Sequence, residues 1–278
     1  MFLFPALLIL GLFMVYPIID AFLISFCNYN PFIKRDFIGL KNYGEIFQDK
    51  IFWKALVNTL IYLLVTPLIT VLSLGLAILV NKQIRGINFF RMMFYLPVVT
   101  SMVVVAIAWK WLYSDSGGLL NELLSMVNLP GINWLTDTRT SLPSVMWVTI
   151  WKGLGYYMVI FLAGLQGIPK SLMEAAEVDG AGRFRKLMNV TVPCLRPYIV
   201  LVMVISFIEA WKVFDEVYLL TKGGPLHSSE TLGYYIYHQA FINNFNMGYA
   251  SAMGVVLFII ILVFSLLNIR YVQRDSAS

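Results

Sequence analysis

Residues 170–196 read KSLMEAAEVDGAGRFRKLMNVTVPCLR. This is the longest polar stretch of the chain that still patterns as helix, and apolar runs flank it on both sides. Pro169 ends the preceding run. Ser171 and Glu174 then form Ser-x-x-Glu, the spacing of a capping box. Leu172, Met173, Ala176 and Val178 supply small and apolar positions for one short helix, and Gly180 is placed to end it. A second short helix is expected from Arg183 to about Val190, after which Pro193 and Pro197 redirect the chain. The segment therefore predicts helix, turn, helix, lying across one membrane surface.

The rest of the chain supplies the membrane. Of 278 residues, 59% are hydrophobic and 13% are charged, with a mean hydropathy of +0.77. A soluble domain is roughly a quarter charged, so lipid is the main solvent here. A spanning helix needs roughly 20 mainly apolar residues. Six segments qualify, at about 2–27, 56–80, 92–113, 143–167, 197–220 and 247–270. The expected fold is all-α and polytopic, with six transmembrane helices. Pro17, Pro67 and Pro97 fall inside or near the ends of spans, where they kink helices packed on neighbours. Cys27 and Cys194 are too far apart in sequence to form a disulfide framework or a metal site.

Basic residues orient the spans. Lys82, Arg85 and Arg91 lie in one connection; Lys170, Arg183, Arg185, Lys186 and Arg196 lie in the next on the same side; Arg270 and Arg274 lie at the C-terminus. The opposite side holds Lys34, Arg35, Lys41, Lys50, Lys54, Arg139 and Lys222, and those near the start are interleaved with Asp36, Glu45 and Asp49. Both termini are therefore expected in the cytoplasm, together with the helical pair. The net charge of +5 reads as an orientation signal and not as a nucleic-acid footprint. The first segment lacks the basic n-region and cleavage site of a signal peptide, so a span is expected there. The long outer connections, about 28–55, 114–142 and 221–246, carry Gly117-Gly118, Leu129-Pro130-Gly131 and Gly223-Gly224-Pro225. They read as structured loops with short helices.

Glu174-Ala175-Ala176, three residues, Gly180, nine residues, then Val190-x-Val192-Pro193 resembles the EAA loop of permease subunits of binding-protein-dependent ABC importers. That pattern has Ile and Leu where this chain has Val190 and Val192, both apolar replacements. Asn58-Thr59, the run from Arg91 to Tyr95-Leu96-Pro97, and the run Phe161 to Pro169 are similar to the same family. Asp179-Gly180-Ala181, Val217 to Thr221 and Gly223-Gly224-Pro225 resemble its carbohydrate-uptake subgroup, in particular the first permease of maltose, multiple-sugar and glycerol-phosphate systems. The resemblance implies a division into 1–55 (first span and outer loop), 56–270 (permease core of five spans) and 271–278 (cytoplasmic tail). It implies a type I importer architecture in the cell membrane, in which Glu174, Ala175, Ala176, Asp179, Gly180 and Ala181 form the helix that docks into an ATPase. It further implies a second permease, two ATPase subunits and an extracytoplasmic solute-binding protein as partners, with ATP and magnesium held on the ATPases and no cofactor in this chain. The outer loops, especially 221–246, would receive the binding protein. The cargo implied is an oligosaccharide or related polyol.

Charges at bilayer depth are costly and usually face a cavity or pair with each other. The fifth span carries Glu209, Lys212, Asp215 and Glu216, and the spacing of Glu209, Lys212 and Glu216 predicts one shared helix face. Lys152 lies in the fourth span, and Trp109, Trp151 and Trp211 each precede a lysine. Two readings stand. Trp151, Lys152, Tyr156, Glu209, Trp211, Lys212, Asp215 and Glu216 line a polar, aromatic passage for sugar, or Lys212 bridges Glu209 or Glu216 and braces the helices. Trp111, Tyr113 and Trp134 read as interfacial belt residues. Asp20 and Asn268 read as helix-packing or end-of-span groups.

No Gly-x-x-x-x-Gly-Lys-Ser/Thr run occurs, so ATP hydrolysis is not expected in this chain. No catalytic constellation and no metal-ligand cluster stands out, and His227 and His238 read as plain surface or packing residues. The intramembrane carboxylates leave an ion-coupled secondary transporter as an alternative, but the inverted repeat common in such folds is missing. A permease for a non-sugar cargo is the other alternative. A membrane enzyme would need a reactive group that the sequence does not show.

Overall fold

The computed structural model describes residues 3–32, 35–82, 85–243 and 245–276, with side chains described to residue 265. Lys34 and the side chains of Asn268, Arg270 and Arg274 lie outside the described residues. The fold is helical apart from a two-residue antiparallel pair, β1 (Cys27–Asn28) with β2 (Asp36–Phe37).

Among the described residues, four helices are long and apolar enough to cross a membrane alone: α1 (Phe4–Ile24), the run Lys50–Val80, α8 (Ser141–Gln166) and the Met247–Ser265 part of α14 (Met247–Ser276). Two bent pairs bring the crossings to six if each pair counts as one span. The run Lys50–Val80 comprises α3 (Lys50–Tyr62) and α4 (Val65–Val80). It begins six residues before the expected position 56, because Asp49 caps it by accepting from the Ile51 and Phe52 amides. Pro17 and Pro67 sit in first turns that follow a π-turn and a break, positions where a missing N–H is tolerated.

The expected third span, 92–113, is not one helix. α5 (Ile87–Val99) and α6 (Met102–Leu112) meet at 100°. Pro97 inside α5 has no N–H to return to the carbonyl four residues back, and Thr100 then turns extended. The freed carbonyls find new donors. Thr100 Oγ1 donates to the Leu96 carbonyl at 2.9 Å and Lys152 Nζ to the Val98 carbonyl at 3.2 Å.

The fifth span is also discontinuous. α10 (Arg183–Cys194) and α11 (Arg196–Trp211) are bent by 68°, and α11 stops at Trp211 before α12 (Asp215–Leu220) begins. Thr231 Oγ1 donates to the Val213 carbonyl in the gap at 3.0 Å. Lys212 lies at the carbonyl end of α11, and Asp215 and Glu216 at the amide end of α12. Each charge thus complements the local helix dipole.

α8 is the central helix, packed most extensively against α4 and then α5, while α11 packs on α4 and α12 on α6. Gly155 permits the α8–α5 approach, since a Cβ there would sit 2.1 Å from the Phe94 carbonyl oxygen. Met158, Phe161, Val145, Val148, Tyr62 and Ile69 form the main core. A second core joins Ile46 of α2 (Lys41–Gln48), Phe52, Trp211, Leu232 of α13 (Leu232–Tyr237), Tyr235, Tyr249 and Met253. Buried Thr59, Thr70, Ser73 and Ser206 return their hydroxyls to carbonyls four residues back, as suits polar groups in lipid. α1 has no buried residue and touches the rest mainly through α14. The loop after α1 closes on the last span, where the Gly248 amide donates to the Tyr29 carbonyl at 3.2 Å. α2, α13 and α7 (Leu119–Met126) are the short helices expected in the outer loops.

Candidate functional site: a charged cavity and an exposed helix pair

A cavity of about 590 Å³ lies between α8, α11 and the α11–α12 gap. Lys152, Tyr156 and Tyr157 line it from α8, and Glu209, Lys212, Asp215 and Glu216 line it from the fifth span. Tyr62, Thr149 and Ser206 add hydroxyls, while Val65, Ile69, Val98 and Phe214 add apolar wall. Tyr62 and Thr149 hydrogen-bond to each other. The surface thus combines aromatic faces, which suit the C–H faces of a sugar, with donors and acceptors that suit hydroxyls.

The charged residues meet by a route other than the one their spacing predicts. Glu209, Lys212 and Glu216 do not share a helix face, because α11 ends between them. The break turns Lys212, Asp215 and Glu216 toward the same space as Glu209. The bracing salt bridge does not form: among the described residues, Lys152 and Lys212 pair with none of Glu209, Asp215 and Glu216.

Two expected lining residues lie elsewhere. Trp211 is 1% exposed and packs against Phe207 and Phe264, with centroids 6.2 and 6.0 Å away. It is the last residue of its helix. Trp151 points outward and meets Trp109 edge-on at 5.4 Å, since consecutive helical residues diverge by about 100°. Of the expected belt, Trp111 is exposed, but Tyr113 is buried and donates to the Ser144 carbonyl at 3.1 Å. Trp134 is half-buried and donates to Asn121 Oδ1 at 3.1 Å.

The helix–turn–helix at 170–194 forms. α9 (Lys170–Val178) follows Pro169, which serves as N-cap without a side-chain bond. The Ser171–Glu174 capping box is therefore not made: the helix starts at Lys170, and Ser171 falls inside its first turn. Gly180, at φ +72°, closes the helix. The Ala181 amide donates to the Ala176 carbonyl at 2.9 Å and the Gly180 amide to the Glu177 carbonyl at 3.0 Å, the paired bonds of a Schellman motif. Lys186 Nζ donates to Glu177 Oε1 at 2.6 Å, tying α10 to α9 and holding the Glu177 carboxyl below its ordinary range. Glu174, Ala175 and Asp179 are exposed, while Ala176 and Ala181 are half-buried. Val178 is 88% exposed and Phe184 76%. Apolar side chains thus stand exposed beside acidic ones on a short, braced helix pair.

The clamping role of Asn58 and Thr59 escaped the sequence reading, which had only their family likeness. Asn58 Nδ2 donates to the His227 and Glu230 carbonyls at 3.0 and 2.8 Å, and Thr59 Oγ1 accepts from the Leu232 amide at 2.9 Å. Lys54 Nζ adds a bond to the Leu226 carbonyl at 2.7 Å. Loop 221–232 is thereby clamped to α3. Glu230 is buried, and its burial raises the carboxyl despite the adjoining His227. His227 is thus a paired residue rather than plain surface. The polar pair Asn58-Thr59 inside an apolar run was the available signal.

The profile of the family described as binding-protein-dependent transport system inner membrane component matches residues 69–275. A probable ABC transporter permease of Bacillus subtilis, YurN, is 38% identical, the match covering 98% of this chain and 94% of that one. The sulfoquinovosyl glycerol transport system permease SmoG of Agrobacterium fabrum is 33% identical over 97% of this chain and 88% of its own. Among solved structures, a chain of a bacterial alginate ABC transporter, in complex with alginate pentasaccharide-bound periplasmic protein, superposes with a TM-score of 0.87 at 26% identity, covering 99% of this chain and 93% of that one.

Proposed function

The chain belongs to the family of binding-protein-dependent transport system inner membrane components, and on that premise we propose that it forms half of the translocation pathway of an ATP-driven carbohydrate importer. The observation that carries this reading is the cavity, which gathers tyrosines, two lysines and three carboxylates without pairing the charges among themselves. Charges not paired with one another, beside aromatic rings, suit a polyhydroxyl cargo passing through. The sugar cargoes named for the similar permease and the similar importer support the same class.

The helix pair supplies the drive. Glu174, Ala175, Ala176, Asp179, Gly180 and Ala181 dock into a separate ATPase subunit, and ATP with magnesium resides there. Because Glu174 does not cap its own helix, its carboxylate is available to a basic group on that subunit. Val178 and Phe184 are the apolar anchors of the contact. A second permease completes the passage, and a solute-binding protein delivers cargo to loop 221–246. Both termini lie in the cytoplasm, in keeping with the basic residues around the helix pair.

Reconstitution in proteoliposomes with the second permease, the ATPase pair and the binding protein tests the reading. Cargo-stimulated ATP hydrolysis and uptake are expected, both lost with Glu174→Arg. Uptake driven by an ion gradient without the ATPase would overturn it.

A further inference from the structure

A second cavity, of about 400 Å³, lies away from the translocation cavity where α6 ends and α8 begins. Tyr113, Leu120, Trp134, Pro143 and Trp147 wall it, and Arg139 stands with Thr140 at its rim. Its aromatic walls are fixed. Tyr113 and Trp134 lie 5.5 Å apart, and each turns its polar end back into the protein, to the Ser144 carbonyl and to Asn121 Oδ1. Their carbon faces are left to the cavity.

The charge at the rim is unused. Arg139 is exposed, and its guanidinium makes no hydrogen bond or ion pair among the described residues. The cavity lies at the start of α8, a helix long and apolar enough to cross a membrane. Trp147, 52% exposed, lies with exposed Pro143 and Trp151 on one stripe of α8, spaced four residues apart, and exposed Trp111 ends α6 nearby. Tryptophans on a lipid-facing stripe sit where hydrocarbon meets headgroups. An apolar slot opening at that level, with an arginine at its polar edge, matches one ligand shape: a chain below and a phosphate above. Arginine's planar fork suits phosphate oxygens, and basic pockets beside transmembrane helices take acidic headgroups.

We propose that this cavity is a binding site for an anionic phospholipid, whose acyl chain lies against Trp134 and Trp147 and whose phosphate is held by Arg139. A docking protein segment fits less well, because exposed Pro143 and Trp147 belong to a helix long and apolar enough to cross a membrane.

The test uses the assembled transporter in phosphatidylcholine nanodiscs doped with phosphatidylglycerol, with retained lipid counted by native mass spectrometry. The intact complex is expected to hold one phosphatidylglycerol at this chain in preference to phosphatidylcholine. Arg139→Ala is expected to lower that retention roughly tenfold, the scale of one charge-assisted hydrogen bond. Arg139→Lys should restore part of it, and Lys41→Ala, which removes an equal charge from the same face, should leave it unchanged. Equal retention by Arg139→Ala and the intact complex would overturn the proposal. So would an Arg139→Ala variant that keeps its lipid but binds the solute-binding protein more weakly, since the cavity would then be a protein dock.

Discussion

Tyr249 Oη donates to Asp49 Oδ2 at 2.7 Å across 200 positions of sequence, and Tyr235 Oη donates to the same oxygen at 2.5 Å. The other oxygen, Oδ1, caps α3 through the Ile51 and Phe52 amides. One carboxylate therefore joins the start of the second crossing, the loop helix α13 and the start of the last crossing. Asp49→Ala removes a cap and two charge-assisted bonds at once, and should destabilise that end of the helix bundle by about 3 kcal/mol. Detergent thermal melts of the assembled complex measure this.

The same residue sets an acid limit. Burial works to raise the Asp49 carboxyl, but the two phenols and two amides outweigh it and hold it below its ordinary range. A depressed folded value means stability that is present at neutral pH and is lost as pH falls through that value, below about 4. The melting temperature should drop over that interval, and Asp49→Asn should flatten the drop while lowering stability at pH 7. An unchanged acid profile in Asp49→Asn would count against the role.

Coupling and folding separate on the helix pair. Glu174→Arg should abolish cargo-stimulated ATP hydrolysis while leaving expression and melting intact, because the side chain makes no hydrogen bond among the described residues. Gly180→Ala acts differently: it strains a left-handed position by about 1–2 kcal/mol and should loosen the Schellman closure. Reduced ATPase affinity with partial coupling is the expected outcome, read by co-purification of the ATPase.

Lys212 and Trp211 are neighbours with opposite roles. Lys212→Ala, in the cavity wall, should slow uptake roughly tenfold, equivalent to about 1.4 kcal/mol, with normal assembly. Trp211→Ala removes a core side chain and should cost about 3–5 kcal/mol of stability. Assembly yield and uptake rate, measured together, distinguish the two; a Lys212→Ala protein that fails to assemble would return that residue to a bracing role.

Gly155→Val places a branched side chain where even a Cβ would meet the Phe94 carbonyl at 2.1 Å. α5 and α8 must separate, so assembly with the second permease should fail. A cysteine pair engineered across α5 and α8 would report the separation by lost cross-linking.

The crossings and the helix pair were legible because each is written locally. Twenty apolar residues fill a bilayer, and Gly180 closes a helix by its own backbone. The two breaks were not. Pro97 announces a kink, but the 100° bend depends on Lys152 and Thr100 taking up the freed carbonyls. The stop after Trp211 depends on Thr231, twenty residues on, filling the gap. The composition of the cavity was readable from charges in apolar sequence, yet membership was not: Trp151 and Trp211 differ from Lys152 and Lys212 by a rotation that only packing fixes. The Ser171 misreading has a plainer cause, since Pro169 starts the helix before the serine can cap it.

The hydrogen bond from Gly248 to Tyr29 has a consequence for biosynthesis. A ribosome delivers α1 to the bilayer early, yet the helix surface that receives it belongs to α14, the last of these spans. For most of translation the first helix must wait in lipid without its neighbour, and the loop that follows it can close only on α2, through Asn42 and Tyr43. A nascent chain stalled before Met247 would therefore carry a first helix not yet latched to α14, and the last span, on leaving the exit tunnel, fastens back onto the first.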